Sequence, residues 1–254
     1  MKTTKKVVLV TGGSRGLGKD MCLRLAQKGF DIILTYNSNV NEANKVVEMI
    51  LAMGERAKAI QLDVSDSKSF DDFLQSVNVS LTNDFAAQNI FALVNNAGVA
   101  AYSSIANTSE EIFDSMVNIH LKAPFFLSQK LLPFISDGGC IVNISSGLTR
   151  FSYSNYAPYA IMKSAVECLT RYQAQEFGNR RIRVNTIAPG AIETDFGGGA
   201  VRDNKELNAM IANTTALGRV GLPDDIGTVV AFLCSDDAKW INAQRIEVSG
   251  GVHI

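Results

Sequence analysis

The sequence predicts an α/β fold: a doubly wound parallel sheet of about seven strands, helices on both faces, in a single domain spanning residues 1–254. Three observations predict it. Short, continuous β-branched runs alternate along the chain with longer segments of helical period. Those runs lack the in–out alternation of a half-solvated sheet, as strands covered on both faces do. Strand–helix–strand repetition then requires parallel pairing with right-handed crossovers.

The first strand is "VVLV" (7–10). In the "GLGKDMCLRLAQKGF" that lies between it and the second strand, Leu17, Met21 and Leu25 share one face, while Lys19, Asp20, Arg24 and Lys28 fall largely elsewhere. Gly29 supplies the helix stop. "DIILT" (31–35) is the second strand, and "NEANKVVEMILAMGE" the second helix, ending at Gly54. Five more strands follow: "AIQLD" (59–63), "FALVN" (91–95), "CIVNIS" (140–145), "IRVNTI" (182–187) and "RIEVS" (245–249). A helix from Tyr159 to Phe177 carries Ile161, Ala165, Cys168, Leu169 and Tyr172 near one side. No Pro/Ser-rich linker, repeat or low-complexity tract divides the chain, and 254 residues suffice for one large core.

Composition excludes several function classes. Hydrophobic residues make up 46% and charged residues 19%, with a formal net charge of −1. The basic pairs in "KK" and "RRIR" read as solvated surface, so neither nucleic acid nor an acidic membrane surface is an expected partner. Four scattered cysteines without C-x-x-C spacing, and two histidines, make no metal set. Cys22, Cys140, Cys168 and Cys234 read as small buried hydrophobes in a reducing compartment. The basic start precedes an apolar run of four residues, shorter than a signal-peptide core. No stretch approaches the roughly 20 apolar residues of a membrane span. The expectation is a soluble, cytoplasmic protein.

The first strand runs into "TGGSRGLG", Thr11 to Gly18. Gly12, Gly16 and Gly18, with Ser14 and Leu17 between them, allow a tight turn and a close approach to a pyrophosphate at the start of a helix. This is a Rossmann-type dinucleotide signature, strengthened by its place between a strand and an amphipathic helix. An NAD site usually has an acid at the end of the second strand. Here Tyr36, Asn37 and Ser38 stand there, none negative, and Arg15 in the glycine loop can meet a 2′-phosphate. NADP(H) is therefore expected over NAD(H).

"YAPYAIMK" (156–163) places Tyr159 four residues before Lys163, on one helical face, with Pro158 suited to a first turn. That spacing alone fits a proton-moving pair or a plain helix start. A free phenol has a pKa near 10, and a neighbouring ammonium is expected to lower it.

Taken in order, "TGGSRGLG", "NNAG" (95–98), "NISS" (143–146), "YAPYAIMK" and "IAPGAIETD" (187–195) resemble the short, single-domain branch of the short-chain dehydrogenase/reductase family, nearly end to end. The resemblance implies Tyr159 as proton donor, Lys163 as its partner, and Ser146, rather than Ser145, as the serine that donates to the substrate carbonyl. It implies Asn118, in "VNIHLKAPF", as holder of a water linking Lys163 to solvent, and leaves His120 as a structural histidine. Asp63 and Val64 resemble the pair that contacts adenine. Asn95, Ala97 and Gly98 resemble the wall under the adenosine ribose and the sheet edge. Pro189, Gly190, Ile192 and Thr194 resemble the segment that orients the nicotinamide amide.

The implied activity is NADPH-dependent reduction of a small-molecule ketone, or the reverse oxidation of a secondary alcohol. A substrate lid is expected near residues 194–216, with Gly197, Gly198 and Gly199 as its hinge. Phe151, Tyr153 and Tyr156 near the catalytic tyrosine favour free ring or small ketones. The alternative is a 3-oxoacyl-(acyl-carrier-protein) reductase, which needs a basic surface at the pocket mouth to meet an acidic carrier protein. Arg180 and Arg181 supply part of such a surface, but Asp137 in "SDGGC" opposes it, so a carrier-protein partner is not favoured. A catalytically silent NADP-binding regulator is a minor alternative. The family also implies a homotetramer built through two long helices and the C-terminal strand.

Overall fold

The computed structural model describes residues 5–254; the expected domain start and most of the basic N-terminal stretch lie outside the described residues. In chain order the elements are β1 (Val7–Val10), α1 (Gly16–Gln27), β2 (Asp31–Tyr36), α2 (Val40–Ala52), β3 (Ala57–Gln61), α3 (Phe70–Asn83), β4 (Ile90–Asn95), α4 (Glu110–Val117), a π-helical turn (Asn118–Lys122) and α5 (Ala123–Leu131). Then follow β5 (Ile135–Ile144), α6 (Ala157–Glu176), β6 (Arg183–Pro189), α7 (Ala200–Asp203), α8 (Lys205–Asn213), α9 (Pro223–Cys234) and β7 (Arg245–Val248). All seven strands pair in parallel, in the order β3-β2-β1-β4-β5-β6-β7.

The strands are apolar throughout because each face of the sheet has its own core. Val8, Val10, Ile32 and Leu34 meet Met21 and Leu25 of α1, Val46 of α2 and Val230 of α9. Their neighbours Val7, Leu9 and Ile33 point the other way, to Phe70 and Phe73 of α3, Leu127 of α5 and Ala174 of α6. Helix ends follow local chemistry. Asn39 caps α2 by accepting from the Glu42 N–H at 3.2 Å. Gly29 (φ 87°) and Gly54 (φ 88°) take the left-handed backbone just past α1 and α2.

Two expectations change. β5 begins at Ile135 rather than Cys140, because Ile135 pairs with Ile90 and the register then shifts before Ala92 meets Cys140. Cys22, Cys140 and Cys234 are buried, but Cys168 is exposed, since it stands on the outward side of α6. No helix among the described residues is long and apolar enough to cross a membrane.

The strand order reverses direction between β1 and β4. Connections leaving these two neighbours diverge to opposite faces, which opens a crevice beyond their carboxyl ends. That crevice positions the site.

Candidate active site

The glycine loop closes tightly on itself. A Cβ on Gly18 would lie 2.1 Å from the Gly12 carbonyl oxygen, and Gly12 (φ 66°) and Gly16 (φ 54°) have left-handed backbone. The Asn96 side chain ties the loop to the end of β4, its Nδ2 donating to the Thr11 oxygen at 2.8 Å. Arg15 occupies the N-cap of α1 without a side-chain cap, and no acid stands in the first turn. The helix therefore presents bare N–H groups and its positive dipole end to the crevice, as a diphosphate requires.

The other predicted cofactor residues gather around that loop. Tyr36, Asn37 and Ser38 end β2, with Asn37 and Ser38 exposed and no carboxylate among them. Asp63 and Val64 follow β3, and the Asp63 carboxylate accepts from the Ser65 N–H at 2.9 Å. Ala97 and Gly98 follow β4. Pro189 ends β6, and Gly190, Ile192 and Thr194 follow it, Thr194 lying opposite Gly16. The residues present fit a dinucleotide. Asn95 departs from its expected place in the ribose wall. Strand alternation turns its side chain inward, where Nδ2 donates to Asn143 Oδ1 at 2.8 Å and Ser128 Oγ at 3.1 Å.

Tyr159 emerges from the first turn of α6, set there by Pro158, and is 9% exposed. Burial pushes its phenol above the ordinary tyrosine value, while the nearby Ser146 hydroxyl acts in the opposite direction. The expected lowering by Lys163 is thus outweighed by burial, and the phenol holds its proton at neutral pH. Ser145 and Ser146 face opposite ways. Ser145 Oγ turns into the protein, donating to Glu167 Oε1 at 2.7 Å. Ser146 Oγ accepts from the Leu148 N–H at 3.2 Å, which leaves its own O–H free to donate on the Tyr159 side.

Lys163 lies one turn below Tyr159, its Nζ 5.5 Å from the phenol ring centroid. It is 5% exposed and donates to the Ile144 carbonyl at 2.8 Å. Burial pushes its pKa down to about 7.

Asn118 is not among the side chains that reach Lys163. It opens the π-helical turn, half-buried, whereas His120 turns in behind Tyr159 with the ring centroids 5.1 Å apart, edge to face. His120 is buried, and a Cβ on Gly98 would lie 2.7 Å from its Cε1, so the glycine makes room for the ring. Burial and the Lys163 charge hold the imidazole pKa down to about 3. The physical reason for the exchange is phase: two residues apart on a helix lie on nearly opposite sides. A signal was present in the sequence, since His120 falls on the buried stripe of Met116, Ile119, Ala123 and Leu127, and Asn118 does not.

Aromatic rings surround the mouth. Tyr102 and Tyr156 meet edge to face at 5.5 Å, and Asn155 Nδ2 donates to the Tyr102 hydroxyl at 2.7 Å. Phe196, at the start of the 194–216 segment, tilts against Tyr159 at 5.9 Å. Phe151 packs on His253, whose Nε2 lies 2.5 Å from the Tyr153 hydroxyl. Gly197, Gly198 and Gly199 all have positive φ, between 62° and 79°. Arg180 and Asp137 are elsewhere. They pair at 2.7 Å near the amino end of β5, while Ser146 follows its carboxyl end, and Arg180 Nη1 also donates to the Leu132 carbonyl. They cannot shape the mouth, so neither the basic surface nor its opposing acid bears on a carrier protein there.

The family model described as Enoyl-(Acyl carrier protein) reductase matches residues 12–253. The chain is 37% identical to a hydroxynaphthalene reductase-like protein, Arp2, of Metarhizium brunneum, over 97% of this chain and 94% of that one. The angucycline C-6 ketoreductase LanV with bound NADP superposes with a TM-score of 0.93 at 35% identity, covering 98% of this chain and 95% of its own. The promiscuous reductase LugOII, which performs a keto-reduction at C1 in lugdunomycin biosynthesis, gives 0.93 at 34% identity, with 99% and 98% covered.

Proposed function

The chain belongs to the short-chain dehydrogenase/reductase family, and from that premise we propose that it is an NADPH-dependent ketoreductase acting on ring ketones. One observation carries this reading: a buried phenol that keeps its proton, set between a free serine O–H and a lysine, beneath an aromatic mouth and beside the glycine loop.

When bound, the nicotinamide cofactor supplies the hydride. Gly12, Ser14, Gly16, Leu17 and Gly18 hold its diphosphate through backbone N–H groups and the α1 dipole. Arg15, unopposed by any acid at Tyr36, Asn37 and Ser38, meets the 2′-phosphate that distinguishes NADPH. Ser146 donates a hydrogen bond to the ketone oxygen, and Tyr159 gives that oxygen its proton as charge develops there. The Lys163 ammonium stabilises the phenolate left behind. Planar rings suit the Tyr102, Tyr156 and Phe196 surfaces, and relatives named for hydroxynaphthalene and angucycline reduction support that class. The 194–216 segment closes over the substrate as a lid. The protein works in a reducing cytoplasm, consistent with four free cysteines, and assembles as a homotetramer.

The test is a titration of purified protein with NADPH and NADH, followed by nicotinamide absorbance against cyclic ketones, aromatic ketones and an acetoacetyl thioester. Ring-ketone turnover with NADPH is expected. Turnover of the thioester alone would overturn the substrate assignment and restore the acyl reductase. Tight NADPH binding without turnover of any compound would overturn the enzyme assignment in favour of a cofactor-binding regulator.

A further inference from the structure

Behind Lys163 lies an interior cavity of about 10 Å³, lined by Thr11, Asn95, His120 and Lys163 together with apolar side chains. That is the space of one water molecule, which needs two to four polar partners to be held there. The polar atoms on its wall meet that requirement one by one. The Thr11 hydroxyl is saturated, donating to the Val94 oxygen and accepting from the Asn96 and Ala97 N–H groups. Asn95 Nδ2 spends both hydrogens on Ser128 and Asn143, which fixes the amide orientation, and its Oδ1 is buried without a partner among the described residues. His120 Nε2 lies 2.8 Å from the Val99 carbonyl, so it carries the hydrogen, and Nδ1 bears a lone pair. That Nδ1 is likewise buried without a partner. Lys163 Nζ uses one of its three donors on the Ile144 carbonyl. Two orphan acceptors and a spare donor therefore share one water-sized space.

We infer that a single structural water sits there, accepting from Lys163 Nζ and donating to His120 Nδ1 and Asn95 Oδ1, and that His120 is a positioning residue for Lys163 acting through it. The water favours the charged ammonium and fixes it beneath Tyr159. His120 does not take up a proton itself, because burial and Lys163 keep the imidazole neutral. The titratable groups facing Lys163 are Tyr159 on its own helix and His120 on the π turn. Ile144 on β5 and Asn95 on β4 present only neutral oxygens. Glu167, a turn further along α6, is engaged by Ser145, Thr149 and Arg245.

The kinetic part of this inference rests on the ketoreductase reading; the water itself does not. The first measurement is a crystal structure of the native protein at about 1.5 Å resolution. One ordered solvent peak within hydrogen-bond reach of all three atoms is expected, and no peak there overturns the proposal whether or not any ketone is turned over. His120→Phe keeps the edge-to-face packing on Tyr159 and loses both nitrogens, whereas His120→Asn keeps an acceptor near Nδ1. In His120→Phe the peak should vanish, and the alkaline limb of kcat for ketone reduction should move down by about 0.7 pH unit, the equivalent of one ordinary net hydrogen bond to the ammonium. In His120→Asn the peak and the limb should stay near native positions, with KM for the ketone unchanged in both. An unmoved limb in His120→Phe, or an equal shift in both variants, overturns the positioning role. If His120→Phe fails to fold, the native solvent peak and the His120→Asn profile decide.

Discussion

An ammonium held almost wholly out of water costs stability that only its chemistry explains, and Lys163 is such a group. Its folded pKa of about 7 lies below the ordinary 10.5. Between these two values the unfolded chain holds a proton that the folded chain has released. The stability contribution of this site therefore rises with pH across that window and is smallest below about pH 7. Lys163→Met should abolish ketone reduction yet raise the melting temperature at about pH 6. The gain is on the order of a few kcal/mol, offset by about 1 kcal/mol for the unpartnered Ile144 carbonyl, and it should shrink towards pH 10 in melts taken across the range. Tyr159→Phe should lower turnover by about 10²- to 10⁴-fold, as loss of a general acid does, while a fluorescence titration shows NADPH binding retained. At this scale the sequence was legible where spacing decides position. Tyr159 and Lys163 fall together because four residues make one turn, and Ser146 is distinguished from Ser145 by strand alternation. His120 escaped because a polar side chain on an apolar stripe reads as ordinary core until its unpartnered nitrogen is seen.

Elements hold these residues from several directions. The turn that carries Ser146 is gripped by Glu167 of α6, which accepts from Thr149 Oγ1 and from Arg245 Nε of β7, each at 2.8 Å. One helix and the last strand thus fix a loop that neither adjoins in sequence. The start of α1 is the other functional element. Arg15→Ala should weaken NADPH binding by about tenfold or more and leave NADH binding nearly unchanged, because a charge-assisted contact to the 2′-phosphate is lost while the backbone cradle remains. Parallel titrations with the two cofactors check this. Six of the seven strands were placed to within two residues at each end by their β-branched runs. The early start of β5 was not legible, since Ser136, Asp137, Gly138 and Gly139 read as a turn and only pairing with Ile90 makes that stretch part of a strand. The π turn was equally hidden, because its i to i+5 bonding leaves no mark on a pattern read with a period of 3.6.

At the scale of the molecule, α4, α5 and α6 leave Phe113, Phe125, Ile161 and Tyr172 substantially exposed, the last two at 52% and 64%. Outward apolar side chains on adjoining helices are what an assembled protein covers. Tyr172→Glu should lower the sedimentation mass from that of a tetramer to a smaller species; a native protein that sediments as a monomer would remove the tetramer. The all-parallel sheet has a different consequence. Every group given a chemical role stands beyond the carboxyl ends of the strands, while the amino ends carry only fixtures such as the Arg180–Asp137 pair. Inheritance can therefore treat the two ends separately. The mouth segments 99–108, 147–156 and 196–216 are free to diversify towards new ketones, generation after generation, while the opposite end keeps the same architecture in every descendant.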